Sequence, residues 1–475
     1  MSALVWFRND LRMHDHSPLA AALGSGQPVR ALYVLCPAQW DSHDVAPLRR
    51  WYVLESLREL GKELAQRGVL LDIIEGSEFA SVAGELHAYC RRHAVTDLYC
   101  NREYPLNEVR RDRQVAETLR ALGVQLHGFD DGVMLPPRAL KTGQGTPYTV
   151  FSPYARTWRR RLAEQPPRLP ALPKAGKPVQ FRGNAAINRA LAAVKVPASL
   201  TRPWQPGEQA ARDQLERFAA NALAGYHEGR DFPAHPGTSL LSTALSAGTL
   251  AVGRCYAVAE REAAGNAAVA EGARVWINEL AWRDFYRQIM ANFPRLARGE
   301  PFRSETRFIR WHNDEQKFHA WCNGQTGYPL VDAAMRQLNS TGWMHNRLRM
   351  LAAMFLSKHM MIDWRLGERY FMQNLIDGDF AANNGGWQWS ASTGTDAAPY
   401  FRVFSPIRQS QRFDPQGAFI REYVPELARL DGKQIHEPWK HGGATGYPIP
   451  VVEHQGVRER VTAVFQAARE QAEAV

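Results

Sequence analysis

A carboxyl group between two indoles is the first feature of this sequence that could do chemistry. Trp276, Glu279 and Trp282 stand three residues apart, so a helix would place them on one side, with Arg283 next to them. A carboxyl group held against aromatic rings is partly desolvated, can stay protonated at neutral pH and can donate a hydrogen bond. The spacing predicts a wall of a ligand pocket, and aromatic core packing is the competing interpretation.

A second stretch combines an amide, a thioether and two guanidinium groups. Asn346 and Met350 are four residues apart and share a helix face, with Arg347 and Arg349 between them in the sequence. An amide forms paired hydrogen bonds with a ligand edge, and guanidinium groups bind phosphates or buried carboxylates. The pattern predicts ligand contacts; a core role for Met350 and a solvated Arg347 are the competing interpretation.

The run at residues 377–389 is the most distinctive of the chain. Its two carboxylates, two amides, two glycines and two indoles are Asp377, Asp379, Asn383, Asn384, Gly385, Gly386, Trp387 and Trp389. We interpret it as too polar for a core and suited to reading a heteroaromatic edge. Upstream, the hydroxyl groups of Thr238, Ser239 and Ser242 precede a predicted helix and suit a pyrophosphate, although most such runs are simple helix caps.

Tryptophan is concentrated in one region. Eight of the 14 tryptophans lie between residues 276 and 389, namely Trp276, Trp282, Trp311, Trp321, Trp343, Trp364, Trp387 and Trp389. For any single tryptophan, core packing is the simpler explanation. Clustering over several helices favours stacking on a planar ligand or on nucleobases, or electron transfer between rings.

Composition excludes several classes of protein. The 475 residues are 45% hydrophobic and 22% charged, which is ordinary for globular chains and unlike disordered or fibrous ones. No apolar run is long enough for a membrane span and the N-terminus lacks a signal-peptide pattern, so we expect a cytoplasmic protein. Five scattered cysteines predict reduced core thiols without a metal site. His14 and His16 follow the first predicted strand in a polar turn and are expected at the surface.

The net charge of +10 is unevenly distributed. Residues 1–130 carry a net charge of −2, so the rest of the chain carries +12. A basic surface of this kind favours a polyanionic partner such as DNA, although many basic proteins bind no nucleic acid.

The order of elements predicts the fold class. Strands are predicted at 3–7, 29–35, 69–74 and 96–100, and helices at 48–66, 79–93 and 107–122. This alternation predicts an α/β, doubly wound parallel-sheet (Rossmann-like) domain over residues 1–130. It has neither a G-x-G-x-x-G nor a Walker A loop.

The remaining chain divides into a predicted linker and a helical domain. Residues 131–206 hold 12 of the 29 prolines and are expected to form a long linker with one short basic helix near 158–162. Residues 207–475 are predicted to be all-helical. The predicted helices are 207–224, 249–263, 274–293, 314–323, 330–339, 345–358, 364–373 and 457–474.

These motifs resemble those of a known family. The sequence resembles the photolyase/cryptochrome family, and within it the class I cyclobutane pyrimidine dimer photolyases of the bacterial folate type. The likeness runs from VWFRNDLR at residues 5–12 to EPW at residues 437–439. It is most specific in GYP at 327–329, in DAAMRQL at 332–338, and in the 343–350 and 377–389 blocks.

The resemblance implies FAD bound in the helical domain and an antenna chromophore in the α/β domain. The positions that match flavin contacts are Tyr226, Thr238, Ser239, Leu240, Ser242, Trp276, Arg283, Trp343, Arg349, Asp377, Asp379 and Asn383. Asn383 matches the position that faces flavin N5. Trp387, Trp364 and Trp311 match a relay that carries electrons from the surface to the flavin.

The resemblance also implies a site for damaged DNA. The matching pocket residues are Glu279, Trp282, Asn346, Met350 and Trp389, and the matching DNA contacts are Arg230, Arg347 and Gln409. Asn107 and Glu108 match residues that hold the pterin of 5,10-methenyltetrahydrofolate, with 8-hydroxy-5-deazaflavin as the alternative antenna. The implied activity is light-driven repair of cyclobutane pyrimidine dimers, by electron transfer from excited reduced FAD to a flipped-out dimer, in a monomer without an obligate protein partner.

Several alternatives stay open at this point. A cryptochrome light sensor shares the fold and the flavin but does not repair DNA. A photolyase for (6-4) lesions is expected to have histidines where Asn346 and Met350 stand. A dark flavin oxidoreductase would need a nicotinamide site that is not visible, and an architectural DNA-binding protein would explain only the charge.

Overall fold

The computed structural model describes residues 1–174, 176–181, 183–442 and 446–474. Its first part alternates strands and helices: β1 (Ser2–Phe7), α1 (Ser17–Gly24), β2 (Val29–Leu35), α2 (Pro37–Ser42), α3 (Pro47–Gln66), β3 (Leu71–Glu75), α4 (Val82–Arg92), β4 (Val95–Asn101), α5 (Leu106–Ala121) and β5 (Gln125–Phe129). The five strands form one sheet in the order β3-β2-β1-β4-β5, and all pairs are parallel. The predicted α/β class is therefore confirmed.

The sequence reading omitted β5. Its residues, Gln125–Phe129, include a histidine and a glycine and lack the continuous apolar run that identified the other strands. β5 lies at the edge of the sheet, where burial on both faces is not required, and its residues range from exposed to half-buried.

The strand order reverses between β1 and β4, which creates a crevice beyond their carboxyl ends. Asp10 and Asn101 meet there, with the Asn101 amide 2.8 Å from Asp10 Oδ2. The His16 ring lies 2.9 Å from the same carboxylate and is only 1% exposed. The expectation that His16 is a surface residue is therefore wrong, because pairing with Asp10 makes its burial favourable.

The rest of the chain is helical. Its α-helices are α6 (Phe151–Glu164), α7 (Ala185–Ala193), α8 (Ala198–Thr201), α9 (Glu208–Asn221), α10 (Tyr226–Gly229), α11 (Ser242–Ala247), α12 (Val252–Gly265), α13 (Ala270–Asn292), α14 (Glu315–Cys322), α15 (Pro329–Thr341), α16 (Asn346–Met354), α17 (Trp364–Asn374), α18 (Phe380–Ser390), α19 (Pro406–Phe413), α20 (Ala418–Tyr423) and α21 (Val457–Glu473). A π-helical turn, Phe355–His359, follows α16. Short 3₁₀ turns lie at Phe79–Ser81, Ala267–Val269, Pro294–Arg298, Ser304–Phe308, Pro425–Leu427, Gln434–His436 and Pro438–His441.

Two regions contain more helix than their sequence indicated. The proline-rich segment holds α6, α7 and α8, although only a short turn near residues 158–162 was predicted. Pro153 stands in the first turn of α6, Phe151–Glu164, where the backbone N–H that proline lacks would have no helical partner, so it does not interrupt the helix. The polar 377–389 run contributes most of α18, where no helix was predicted.

The described residues form two compact units. Unit 1 comprises the described residues of 1–174, 176–181, 183–224, 239–294 and 376–378, and unit 2 comprises those of 225–238, 295–375, 379–442 and 446–474. In unit 2, side chains of α14 to α18 and α20 form one core in which the largest buried groups include Trp321, Trp364, Phe355 and Phe371. All five cysteines are buried as free thiols, as their scatter predicted.

Candidate active site

On unit 1, helix α13 presents the predicted carboxyl group between two indoles. Trp276 is buried and tilted against Phe218, with ring centroids 4.8 Å apart. Trp282 stacks almost parallel on Phe151 at 3.5 Å, so one face of its indole is already held. Glu279 lies between them on the helix and is half-buried. The helix thus offers a hydrogen-bonding group beside a rigid aromatic surface.

The hydroxyl loop of unit 1 has the backbone of a ligand-contacting turn. Leu240 adopts φ +54°, a left-handed conformation that is uncommon for a residue with a side chain, and is 43% exposed. The Ser239 carbonyl accepts a hydrogen bond from Gln214 Nε2 at 2.9 Å, and α11 starts at Ser242. A bend of this kind turns backbone N–H groups toward one point, as anion-binding loops do.

Two charged residues of unit 1 that match flavin contacts are also constrained: Arg283 by hydrogen bonds and Asp377 by burial. Arg283 donates from Nη1 to the Gly132 carbonyl at 2.7 Å and from Nη2 to the Leu245 carbonyl at 3.3 Å. Asp377 is buried. Backbone carbonyls therefore fix the orientation of the Arg283 guanidinium.

On unit 2, the start of α16 displays the predicted amide. His345 caps the helix, and its Nδ1 accepts a hydrogen bond from the Arg347 N–H at 3.2 Å. Burial lowers the pKa of His345 to about 4, so the ring is neutral and can accept at neutral pH. Asn346 is the first helical residue and is exposed, while Met350 packs partly on the core. Arg349 donates from Nε to the Met344 carbonyl at 2.7 Å.

Helix α18 is held by a network that sequence reasoning did not find. Asn383 Nδ2 donates to the backbone carbonyl of Glu368 at 3.0 Å, and Asn384 Nδ2 donates to the Glu368 carboxyl at 2.9 Å. Asn384 in turn accepts from Gln388 Nε2 at 3.0 Å, and Gln388 Oε1 accepts from the Phe302 N–H at 2.8 Å. Burial raises the pKa of Glu368 to about 7. The network fixes the amide orientation of Asn383.

The same helix corrects one inference from the sequence. Asn384, Trp387 and Gln388 are buried, so the 377–389 run is not too polar for a core. Its amides satisfy one another through the network around Glu368, which removes the usual cost of burying them. Asp379 caps α18 by accepting from the Ala382 N–H at 3.0 Å, and Trp389 packs partly on the core.

The three relay-matched tryptophans of unit 2 pack around one core and differ in exposure. Trp387 and Trp364 are 2% and 1% exposed, whereas Trp311 is half-buried at the margin of that core. A Cβ at Gly367 would lie 2.1 Å from the Trp387 ring, so only glycine leaves room for this indole. Phe371 contacts Trp387 edge-on at 4.9 Å. Of these three indoles, two are buried in the core and Trp311 lies at its margin.

Comparisons with known proteins agree on one family. The profile of the FAD binding domain of DNA photolyase matches residues 276–467, and the DNA photolyase profile matches residues 3–174. This chain belongs to the DNA photolyase family. The predicted family is thereby confirmed.

Photolyases of several organisms are similar over the full length of the chain. The deoxyribodipyrimidine photo-lyases of Salmonella typhimurium and Escherichia coli are 45% and 44% identical to it, each over 98% of both chains. A class III photolyase from Agrobacterium tumefaciens superposes with a TM-score of 0.88 at 33% identity, over 99% of this chain and 98% of that one. A cryptochrome from Synechocystis superposes with a TM-score of 0.81 at 28% identity, over 98% of this chain and 99% of that one.

The DNA-matched residues of this photolyase form a cluster on unit 2. Arg347 Nη2 donates to Asp231 Oδ1 at 2.7 Å, and Arg230 Nε lies 3.9 Å from the same oxygen. The Arg347 guanidinium lies over the Phe413 ring at 4.6 Å, at the end of the helix that carries Gln409. The side chain of Arg230 also lies over Tyr226, a flavin-matched residue. Arg230, Arg347 and Gln409 therefore share one region of unit 2.

The antenna-matched residues lie at the start of α5 in unit 1. Asn107 is exposed, and its Nδ2 lies 3.0 Å from His43 Nε2. Glu108 is 14% exposed, with one carboxyl oxygen 4.0 Å from His43 Nδ1. Burial, reinforced by the Glu103 carboxylate, raises the pKa of Glu108 to about 7. A half-ionised carboxyl group therefore stands beside an amide and an imidazole.

Sequence reasoning also missed a buried ionic group near this site. Arg8 pairs with Asp112 at 2.8 Å and Arg111 pairs with Glu103 at 2.7 Å, while both guanidiniums lie over the Trp6 ring at 4.4 and 4.9 Å. Arg8 is part of the VWFRNDLR motif, but its partners lie about a hundred residues away. The pairing of Arg8 with Asp112 is therefore too distant in sequence to leave a local spacing that could be detected.

Proposed function

We propose that this photolyase repairs cyclobutane pyrimidine dimers in DNA by light-driven electron transfer, as a deoxyribodipyrimidine photo-lyase that cleaves carbon–carbon bonds. The observation that carries the proposal is the half-buried Glu279 beside the stacked Trp282 on α13. It is the arrangement that a flipped-out pyrimidine dimer needs, because the lesion must stack on a ring and form hydrogen bonds through its carbonyl edge. The names of relatives at 44–45% identity support the same activity.

The residues present fit FAD. The positive-φ bend at Leu240 and the Ser239 and Ser242 hydroxyls suit the pyrophosphate. The fixed amide of Asn383 suits the flavin edge, and a Cβ at the half-buried Gly386 would meet no atom within 4 Å, so open space adjoins α18. The full holding set is Tyr226, Thr238, Ser239, Leu240, Ser242, Trp276, Arg283, Trp343, Arg349, Asp377, Asp379 and Asn383. When bound, reduced FAD would supply, on excitation, one electron that opens the cyclobutane ring and that returns to the flavin after cleavage.

The substrate residues hold the lesion for that electron. Trp282, fixed by Phe151, offers a preorganised stacking surface, and Trp389 and Met350 supply further apolar contact. Glu279 donates a hydrogen bond to a pyrimidine carbonyl and stabilises negative charge that develops there, and Asn346 binds the same edge. Arg230, Arg347 and Gln409 contact the DNA backbone.

The relay residues restore the reduced cofactor. An electron passes inward from the half-buried Trp311 through Trp364 to the buried Trp387. Because Trp311 is the most exposed of the three indoles, an external reductant reaches only that one. The relay is needed to reduce the cofactor and is not part of the repair cycle.

The antenna is proposed to be 5,10-methenyltetrahydrofolate, held at Asn107 and Glu108. A pterin presents two adjacent N–H donors, which pair with both oxygens of one carboxylate. A deazaflavin edge presents one N–H between two carbonyls, and a carboxylate would repel one of them. Glu108 beside Asn107 thus favours the pterin over 8-hydroxy-5-deazaflavin. A photolyase from Sulfolobus tokodaii was crystallised with two FAD molecules, so antennas differ within the family.

The folate proposal predicts pH-dependent antenna binding. Only ionised Glu108 accepts from both pterin donors, and the pKa of Glu108 is raised to about 7. Folate affinity should therefore rise as pH increases through 7, and Glu108→Gln should bind weakly and without that rise. Fluorescence titration of the holoprotein between pH 6 and 8 measures this, with Glu117→Gln, an exposed position of the same helix, as control. Equal folate affinity for wild type and Glu108→Gln would contradict the assignment.

We further propose that the enzyme acts in the cytoplasm as a monomer without an obligate protein partner. Among the described residues, no helix combines the length and hydropathy of a membrane span. The experiment that tests the function is incubation of the FAD-reduced protein with a dimer-containing oligonucleotide, in blue light and in darkness. Restoration of the pyrimidines in light alone supports it; tight binding without restoration would favour the cryptochrome alternative.

A further inference from the structure

An acidic side chain lies inside the basic DNA-matched cluster of unit 2. We define the Asp231 cluster as Arg230, Asp231, Arg347, Arg412 and Phe413. Asp231 is the one carboxylate of this set, and its Oδ1 accepts from Arg347 Nη2 at 2.7 Å while lying 3.9 Å from Arg230 Nε. No matched position predicted a carboxylate at a surface that should attract phosphates.

The cluster concentrates positive charge. The guanidiniums of Arg347 and Arg412 both lie over the Phe413 ring, at 4.6 and 5.1 Å from its centroid. Arg347 is also in the first turn of α16, where the helix dipole adds partial positive charge. These like charges repel one another, and the Asp231 carboxylate offsets part of that repulsion.

Stability does not explain the carboxylate. The side chains of Asp231 and Arg347 are 35% and 21% exposed, and ion pairs this accessible to water contribute little to folding. Arg347 Nε, in contrast, is buried without a hydrogen-bond partner among the described residues. The Phe413 ring lies against the face of this guanidinium, and Asp231 accepts the hydrogen bond that directs its distal end.

We propose that Asp231 is a positioning residue for DNA binding, which fixes the Arg347 guanidinium and lowers attraction to undamaged duplex. The inference rests on the proposed repair function. Binding to undamaged DNA follows the net charge of the surface, whereas binding to the lesion also requires an oriented Arg347. Asp231 weakens binding to undamaged DNA and supports binding to the lesion, so it raises the preference for damaged DNA.

The test is Asp231→Asn, which keeps the shape and removes the charge. Binding of matched damaged and undamaged duplexes is measured over a salt series in darkness. The undamaged duplex should bind several-fold more tightly, its log–log salt slope should steepen by about 0.9, and the damaged-to-undamaged preference should fall. The matched control is Glu216→Gln, an exposed carboxylate 3.2 Å from Arg261 Nη2, which should leave the preference unchanged.

A second variant separates positioning from charge. In an Arg347→Met background there is no guanidinium to orient, so Asp231→Asn should steepen the slope without changing the preference further. If Asp231→Asn kept its thermal midpoint and left both the salt slope and the preference for damaged DNA unchanged, this inference would be overturned and the proposed function would not. A wild-type protein that shows no preference for the damaged duplex would overturn the proposed function as well.

Discussion

Glu279 either donates a hydrogen bond to the lesion or only solvates its helix, and the two interpretations predict different effects of substitution. The side chain is half-buried on α13, next to a Trp282 ring that Phe151 already holds. In a water-poor pocket a donor to a pyrimidine carbonyl is valuable, because a carbonyl left unpaired there loses its hydrogen bonds to water. A group that merely solvates the helix would have no such effect.

We predict a graded loss for substitutions at Glu279. Glu279→Gln can still donate, though more weakly, so repair yield should fall only partly. Glu279→Ala removes the donor and should cost about 1–3 kcal/mol in dimer binding. Dimer affinity and repair per absorbed photon are measured with reduced FAD confirmed in each protein. Glu271→Gln, an exposed position of the same helix, is the control; if Glu279→Ala matched it, Glu279 would not be in the active site.

At the scale of elements, the GYP and DAAMRQL motifs connect a turn, a helix and a distant segment. Asp332 on α15 accepts from the N–H and Oγ1 of Thr326, from the Gly327 N–H at 3.0 Å and from the Tyr447 hydroxyl at 2.6 Å. Gly327 has φ +79°, and a Cβ there would lie 2.4 Å from the Ile449 backbone. The specificity of these motifs therefore reflects folding within unit 2 and not direct chemistry.

Asp332→Asn should destabilise the protein and change its pH dependence. An amide turns its N–H₂ toward donors, at a cost of about 1–3 kcal/mol. Burial raises the pKa of Asp332 to about 6, so its proton stabilises the fold fully below the ordinary carboxyl pKa, and this contribution disappears as pH rises through 6. Urea unfolding from pH 4 to 7 should show that decline in wild type and in the exposed control Asp213→Asn. If the same decline in stability persisted in Asp332→Asn, the pH dependence would come from another group.

The proposed relay depends on how several elements pack, because its indoles come from α17, α18 and the segment before α14. Trp311→Phe should block photoreduction of oxidised FAD while chemically reduced enzyme repairs nearly normally. Absorbance changes under illumination with an external reductant measure the first, and dimer loss measures the second. Trp439→Phe, a half-buried indole outside the relay, should change neither. Parallel loss of both activities in Trp311→Phe would make Trp311 a structural residue.

Sequence periodicity predicted most elements for a physical reason. β1 to β4 and the long helices carry apolar faces that must be buried, and burial leaves a periodic trace. β5 at the sheet edge and α18, buried through mutual hydrogen bonds around Glu368, leave no such trace. The ion pair of Arg347 with Asp231 depends on residues 116 positions apart. The flavin and substrate positions came from family resemblance, and their assignment stays a prediction.

At the scale of the whole molecule, the chain couples a light-dependent cofactor to a basic DNA-binding surface. The net charge of +12 on residues 131–475 supplies attraction to phosphates that is independent of sequence. In the proposed function, stacking and carbonyl contacts by the predicted pocket residues supply the recognition of the lesion. Neither contribution breaks a carbon–carbon bond without the excited cofactor, so activity must depend on light absorbed by the protein.

The action spectrum of repair tests this dependence most directly. Fully reduced holoprotein, saturated with a dimer-containing oligonucleotide, is illuminated at a series of wavelengths, and dimers lost per incident photon are counted. The account predicts no loss in darkness and a wavelength dependence that follows the absorption of the bound reduced FAD together with any bound antenna. Loss of dimers in darkness, or no loss at any wavelength with FAD and DNA both bound, would contradict it.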